Sequence, residues 1–138
     1  MKIFSLFIVT LLIISSCSKE RKLAKKLEGS WNVISHRNNG NLQEIEMDGS
    51  TFIFDYCPPK EIECDGGWSG DLRNGGTFDF PYKFSINDED DVSMQFNKAD
   101  VDTIIEDFIN TQLFFVNDTL ELEFISNSSF FEFTMVQD

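Results

Sequence analysis

Few residues of this chain can do covalent or metal chemistry: the cysteines Cys17, Cys57 and Cys64, and the single histidine His36. Cys57 and Cys64 do not have the Cys-x-x-Cys spacing of redox motifs. Zinc needs four ligands, which one histidine and one cysteine pair do not supply. No serine or cysteine nucleophile has a recognisable context near His36, and carboxylates are too abundant to be informative. We therefore expect no enzyme activity, no bound metal and no cofactor.

The N-terminal residues have the three zones of a secretory signal. Lys2 supplies a positive charge, residues 3–14 form an apolar run, and two serines precede Cys17. The run is too short to cross a hydrocarbon core, which needs roughly twenty helical residues. Ile14-Ser15-Ser16-Cys17 resembles the lipobox of bacterial lipoproteins, whose cysteine is acylated, for example with palmitate, and becomes the mature N-terminus. The resemblance implies a signal peptide over residues 1–16 and a membrane anchor at Cys17; a buried N-terminal helix is the alternative.

Charge divides the remaining chain into two parts. Residues 17–27 contain five of the eleven basic residues, whereas from Leu27 onward five basic residues face 23 acidic ones, a net charge of −18. A basic segment beside a lipid anchor suits an anionic phospholipid surface, and a solvated tether is the alternative. The acidic part repels phosphates, which excludes nucleic acid as a partner. We expect residues 17–27 to be a basic tether and residues 28–138 to form one domain.

Alternation of apolar and polar residues dominates after Gly29. The clearest run covers residues 77–86, where strict alternation predicts a half-buried strand. Pro81 within it cannot donate to a ladder and marks a bulge or an unpaired edge position. Turn-forming clusters separate the runs, so we predict an antiparallel sheet of sequential neighbours; the clusters are Asn38-Asn39-Gly40-Asn41, Asp48-Gly49, Asn74-Gly75-Gly76, Asn87-Asp88-Glu89-Asp90, Asn117-Asp118 and Ser126-Asn127-Ser128.

Three segments depart from this alternation. Apolar residues at helical spacing predict a short helix over residues 101–109, with an irregular strand as the alternative. Leu23 and Leu27, followed by Gly29, indicate a short helix or a linker. The acidic residues 87–91 form either a calcium loop or a solvated hairpin tip, and we favour the tip.

The residues Gly29-Ser30-Trp31 open the first predicted strand. They resemble the Gly-x-Trp opening of lipocalins, especially the short lipocalin-like domains found behind lipoprotein signals in Gram-negative bacteria. The resemblance implies an all-β fold, a small antiparallel up-and-down β-barrel of about eight strands, with Trp31 closing one end. The late arginine that packs on this tryptophan in the family has no counterpart, because no arginine follows Arg73.

With Cys17 used for lipid, Cys57 and Cys64 are the one pair left for a disulfide in an oxidising compartment. Such a bond would close a loop at one mouth of the barrel and contribute about 2.5 kcal/mol. Trp68, flanked by glycines, is expected on a mouth loop, either exposed as a contact residue or folded over the barrel end.

Two functions are compatible with these features. The first is a membrane-tethered pocket for a small apolar or amphipathic molecule, and the second is a solid-core module that contacts another envelope protein. Candidate ligand-binding residues for the first are Tyr56, Trp68, Phe78, Phe80, Tyr82 and Phe84. Both functions place the protein in the cell envelope of a Gram-negative bacterium, on the outer membrane, and the basic residues after Cys17 favour the periplasmic side.

Overall fold

The computed structural model describes residues 19–39, 46–58, 61–86, 92–96, 110–126 and 129–138. The predicted signal peptide (residues 1–16), Cys17, the acidic residues 87–91 and the predicted helix over residues 101–109 lie outside the described residues.

One helix and eight strands make up the described structure. The helix is α1 (Lys19–Leu27); the strands are β1 (Gly29–Asn38), β2 (Thr51–Phe54), β3 (Cys64–Asp71), β4 (Thr77–Ile86), β5 (Val92–Phe96), β6 (Asn110–Val116), β7 (Thr119–Ser126) and β8 (Ser129–Gln137). The segment that contains Leu23 and Leu27, predicted as a short helix or a linker, is therefore helical.

All eight strands belong to one antiparallel sheet with the order β5-β4-β3-β2-β1-β8-β7-β6. Sequential strands are neighbours, and β8 returns to pair with β1, so that the sheet curls into a nearly closed barrel. Cα atoms of β5 and β6 come within 8 Å of each other across the remaining seam. The predicted all-β, up-and-down barrel of eight strands is confirmed.

The alternating sequence of β4 explains why one of its faces is buried and the other exposed. Its ten residues alternate between exposed and buried positions up to Phe84, because each second side chain of a strand points to the same face. Pro81 pairs with Gly67 of β3, and the described pairing with β5 begins one residue later, at Tyr82. Among the described residues, Pro81 therefore pairs with one neighbouring strand only, which suits its missing N–H.

The side chains of β1 exchange their inward and outward faces halfway along the strand. A bulge between Val33 and Ser35 leaves Ile34 exposed. After the bulge, His36 pairs with the buried Phe133 and shares its face of the sheet. Strict alternation from Trp31 onward does not anticipate this reversal.

The two ends of the barrel are distinguished by α1. We call the near end the one that holds α1, the connection from β2 to β3 and the turn between β6 and β7. The far end holds the end of β1 and the turn between β3 and β4. Apart from Gly29 at the start of β1, the positive φ angles of the described residues occur at Gly49, Gly75, Gly76 and Asn117, all within predicted turns.

Candidate functional site

The inward face of β4 carries four of the predicted ligand-binding residues. Phe78, Phe80, Tyr82 and Phe84 all belong to the buried core. Phe78 and Phe80, at 6% and 8%, retain the largest exposed fractions in that core. Both precede Tyr82, where the described pairing of β4 with β5 begins.

Trp68 lies in the middle of the interior and not on a mouth loop. It belongs to β3, is fully buried, and stacks on Phe52 with ring centroids 5.1 Å apart and planes 9° apart. Four further rings approach its edges or faces at steeper angles, those of Phe78, Phe80, Phe96 and Phe133. The prediction of a mouth loop at this residue is therefore wrong, since its neighbouring glycines are strand residues.

Glycines on both sides of Trp68 leave room for rings from the adjacent strands. A Cβ at Gly66 would lie 2.5 Å from Cζ of Tyr82 and 2.6 Å from the carbonyl oxygen of Ile53. A Cβ at Gly70 would lie 2.9 Å from Cβ of Ser50 and 3.0 Å from the ring of Phe78. These positions need glycine because other side chains occupy the space, as happens where strand glycines meet large cross-strand neighbours.

The Tyr82 hydroxyl is held inside the barrel wall. It donates a hydrogen bond to the carbonyl oxygen of Ile53 at 2.7 Å, and the ring covers Gly66. Burial raises the pKa of the Tyr82 phenol well above its usual value, and the negative charge of Asp55 raises it further. The phenol is therefore a neutral structural donor and not a proton-transfer group near neutral pH.

A hydrogen-bond relay fixes the far end of the interior. The indole Nε1 of Trp68 donates to Oγ of Ser50 at 2.9 Å, and that hydroxyl donates to the carbonyl oxygen of Met47 at 2.6 Å. Met47 and Ser50 are both buried, so the segment 46–50 crosses this end of the barrel with the Met47 side chain inward. The sequence does not predict that Met47 closes this end of the barrel, because a single methionine outside any run of alternating apolar and polar residues forms no recognisable pattern.

The near end is closed around Trp31. Its indole Nε1 donates to the carbonyl oxygen of Leu27 at 2.8 Å, and its ring meets that of Phe115 edge-on at 5.9 Å. Lys26 places its Nζ 3.8 Å from the centroid of the Phe115 ring. Gly29 has a φ of +124°, which side-chain-bearing residues rarely adopt, and this explains the glycine of the Gly-x-Trp sequence.

The predicted disulfide is confirmed. Cys57 follows β2 and Cys64 begins β3, with Cα atoms 5.4 Å apart and the sulfur atoms bonded. The bond restrains a loop at the near end of the barrel. We define residues 55–58 and 61–63 of this loop as the rim loop. Tyr56, one of the candidate ligand-binding residues, does not lie on the inward face of the barrel: β2 ends at Phe54, and the Tyr56 side chain is 65% exposed on the rim loop.

The rim loop exposes one aliphatic side chain among acids. Ile62 is 85% exposed, the largest exposed fraction among the exposed large apolar residues of the described chain. Glu61 and Glu63 flank it and are exposed as well. The hydrogen bond that Lys83 donates to the carboxylate of Asp65 raises the pKa of Lys83, and the negative charges of Asp65, Glu63 and Glu61 raise it further.

His36 lies at the far end, where its Nδ1 is 2.7 Å from Oδ1 of Asp48. Beside this pair the Asn38 amide donates to the sulfur of Met47 at 3.5 Å. A histidine oriented by a carboxylate needs a nucleophile or a third ligand to do chemistry. In the described ranges, no group of three or more metal-ligating side chains comes together.

Several core side chains leave no room for a ligand beside them. Trp68, Phe52 and Phe133 are 0% exposed, as are Leu120, Leu122 and Met135. A side chain with no exposed area borders no void that would admit a water molecule, so no water-sized cavity lies against these six residues.

No helix within the described ranges has the length and apolar character needed to span a membrane. Comparison of the chain with protein-family models, with curated proteins and with solved structures finds no match.

Proposed function

We propose that this chain is a lipid-anchored envelope protein whose lipocalin-like barrel acts through its surface, as a module that contacts another envelope protein. The observation that carries the proposal is the packed interior. Trp68, Phe52 and Phe133 fill the centre where a carrier would hold its cargo, and each is fully buried. Carriers need a concave apolar site that encloses most of the ligand, usually several hundred Å³ in volume.

The rim loop is the part of the surface best suited to a partner. The Cys57–Cys64 bond restricts it, so less conformational entropy is lost when it binds. Ile62 extends from the loop with Glu61 and Glu63 on either side. A partner for this surface would have an apolar pocket with basic residues at its rim, because the pocket receives the isoleucine and the rim charges pair with the glutamates.

The anchor is tested by the mass of the mature protein. The full precursor is produced in a Gram-negative host, extracted from the membrane fraction and measured intact. We expect a polypeptide that begins at Cys17 and carries acyl chains, and we expect Cys17→Ser to leave the membrane fraction. An unmodified chain that retains residues 1–16 would overturn the anchor.

The partner is tested by photo-crosslinking in intact cells. A photoreactive residue is placed at position 62 and, as a matched control, at the exposed position 79 on the outer face of β4. We expect one defined adduct from position 62, and we expect Glu61→Lys with Glu63→Lys to remove it. Equal labelling from the two positions would contradict a specific surface on the rim loop.

A carrier for a small apolar molecule is the second candidate, and one observation favours it. Phe78 and Phe80 have the largest exposed fractions in the core. An apolar ligand that entered the barrel beside them would contact these two rings, and its binding would be lost on Phe80→Ala.

A further inference from the structure

α1 is attached to the barrel and is not a free tether. Leu27 is fully buried and Leu23 packs against the core. The carbonyl oxygen of Leu27 accepts the Trp31 indole N–H, and Lys26 lies over the ring of Phe115 on β6. The direction of α1 relative to the barrel is therefore set by packing.

The exposed lysines of α1 differ from the other described basic residues. Arg37, Arg73 and Lys83 each pair with a carboxylate of the barrel, Glu132, Glu46 and Asp65 respectively. Lys22, Lys25 and Lys26 are exposed and have no described carboxylate within 4.0 Å. Among the described residues, this helix therefore presents positive charge that no carboxylate pairs with, on a domain whose sequence is otherwise acidic.

Apolar side chains continue this basic surface onto β6. Phe115 points inward beneath Lys26, so its chain neighbours Phe114 and Val116 point outward, with exposed fractions of 46% and 51%. Lysines beside exposed aromatic and aliphatic side chains are the combination that binds the interface of an anionic bilayer, where the charges meet headgroups and the apolar groups enter between them.

The acidic rim loop lies on the opposite wall. In a ring of eight strands, β2 lies four places and β3 three places away from β6. A bilayer that contacts α1 and β6 therefore does not meet Glu61 and Glu63, which an anionic surface would repel. The same orientation leaves Ile62 free for a protein partner.

Cys17, which lies outside the described residues, is close in sequence to the same surface. Cys17 precedes the first residue of α1 by two positions, so an extended chain places it within about 7 Å of Lys19. We infer that Lys22, Lys25, Lys26, Phe114 and Val116 form a membrane-contact face that lies on anionic phospholipid headgroups and orients the barrel on the bilayer. This inference rests on the proposed anchor at Cys17.

The test uses the acylated protein inserted into preformed vesicles of phosphatidylcholine, with or without phosphatidylglycerol. A membrane-impermeant amine reagent labels the lysines, and peptide mass spectrometry gives the labelling rate at each one. We expect Lys22 and Lys25 to react several-fold more slowly when phosphatidylglycerol is present, with the rate at Lys83 unchanged. Equal rates at Lys22 and Lys25 on both kinds of vesicle would overturn the membrane-contact face.

Variants of the chain without its acyl groups separate this inference from the anchor. Lys22→Gln with Lys25→Gln is expected to weaken sedimentation with phosphatidylglycerol vesicles about 25-fold, since each lysine near an anionic surface contributes about fivefold. The matched control, Arg37→Gln with Arg73→Gln, removes the same charge at the far end and should leave sedimentation within about twofold of the parent. If the mature protein proves to be unacylated, this comparison still decides the inference, because equal losses in the two variants contradict it.

Discussion

Gly66 and Tyr82 show how single residues determine the packing of this barrel. Gly66→Ala would place a methyl group 2.5 Å from Cζ of Tyr82 and 2.6 Å from the Ile53 carbonyl oxygen. We expect a loss of about 1–3 kcal/mol in the free energy of unfolding, measured by urea titration, because the ring must leave its position.

Gly67→Ala is the matched control for this substitution. Gly67 precedes Trp68 in the same strand, but the nearest atom to its Cβ position is 3.8 Å away. We expect a change of less than about 1 kcal/mol, in either direction. Similar losses at the two glycines would mean that crowding by Tyr82 is not the reason for glycine at position 66.

The Tyr82 phenol makes stability depend on alkaline pH. Its pKa is higher in the folded chain than in the unfolded chain, so its contribution is complete below the ordinary tyrosine pKa of about 10 and is lost as the pH rises through the folded value. Tyr82→Phe should cost about 1 kcal/mol at neutral pH, from the lost hydrogen bond, and should decline less steeply above pH about 10.

The measurement is urea unfolding of parent and variant at several pH values from neutral to about 11. Tyr56→Phe, which removes the exposed phenol of the rim loop, controls for the loss of a tyrosine and should retain the parent's alkaline decline. Parallel declines in parent and Tyr82→Phe would show that another group is responsible.

Among the elements, α1 is expected to depend on one buried leucine. Leu27→Ala removes a fully buried side chain where the helix meets Trp31, and we expect a loss of about 2–4 kcal/mol with faster trypsin cleavage after Lys25. Ile34→Ala shortens an exposed apolar side chain on β1 and should change the free energy of unfolding by less than about 0.5 kcal/mol. Unchanged cleavage in Leu27→Ala would show that α1 is held by other contacts.

The rim loop is expected to depend on its disulfide. Cys57→Ala with Cys64→Ala frees an eight-residue loop and should lower the free energy of unfolding by about 2.5 kcal/mol. Reduction of the parent protein should produce the same loss in urea titration. A midpoint that moves in neither case would mean that the loop is already ordered without the bond.

The comparison of β4 with β3 shows what the sequence can predict at this scale. The inward face of β4 could be predicted because its aromatic residues alternate strictly with polar ones. β3 was missed because Cys64-Asp65-Gly66-Gly67-Trp68-Ser69-Gly70-Asp71 has few residues that favour strands. The reason for its glycines lies in Tyr82, Phe78 and Ser50 on neighbouring strands, which no local pattern reveals.

At the scale of the whole molecule, the barrel and the closing role of Trp31 could be predicted from the alternation and the Gly-x-Trp sequence, but the state of the interior could not. The same phenylalanines would line a cavity or fill a core. The decision depends on how Trp68, Ser50 and Met47 are placed, and those contacts join residues from separate segments. The bulge in β1, which turns His36 inward, is likewise a feature of pairing with β8.

Two opposite parts of the barrel surface differ in the sign of their charge. α1 and β6 combine exposed lysines with Phe114 and Val116, whereas the rim loop across the barrel combines Ile62 with glutamates. The proposed anchor, the proposed membrane-contact face and the proposed partner surface would therefore not compete for one area.

The most direct test of the packed barrel is native mass spectrometry of residues 18–138, secreted without the proposed lipid anchor and offered a cell-envelope extract. We predict the bare mass of the disulfide-bonded chain under every gentle ionisation condition, because Trp68, Phe52 and Phe133 already occupy the centre. A defined additional mass that survives gentle ionisation and disappears on denaturation would contradict the packed interior and identify the protein as a carrier.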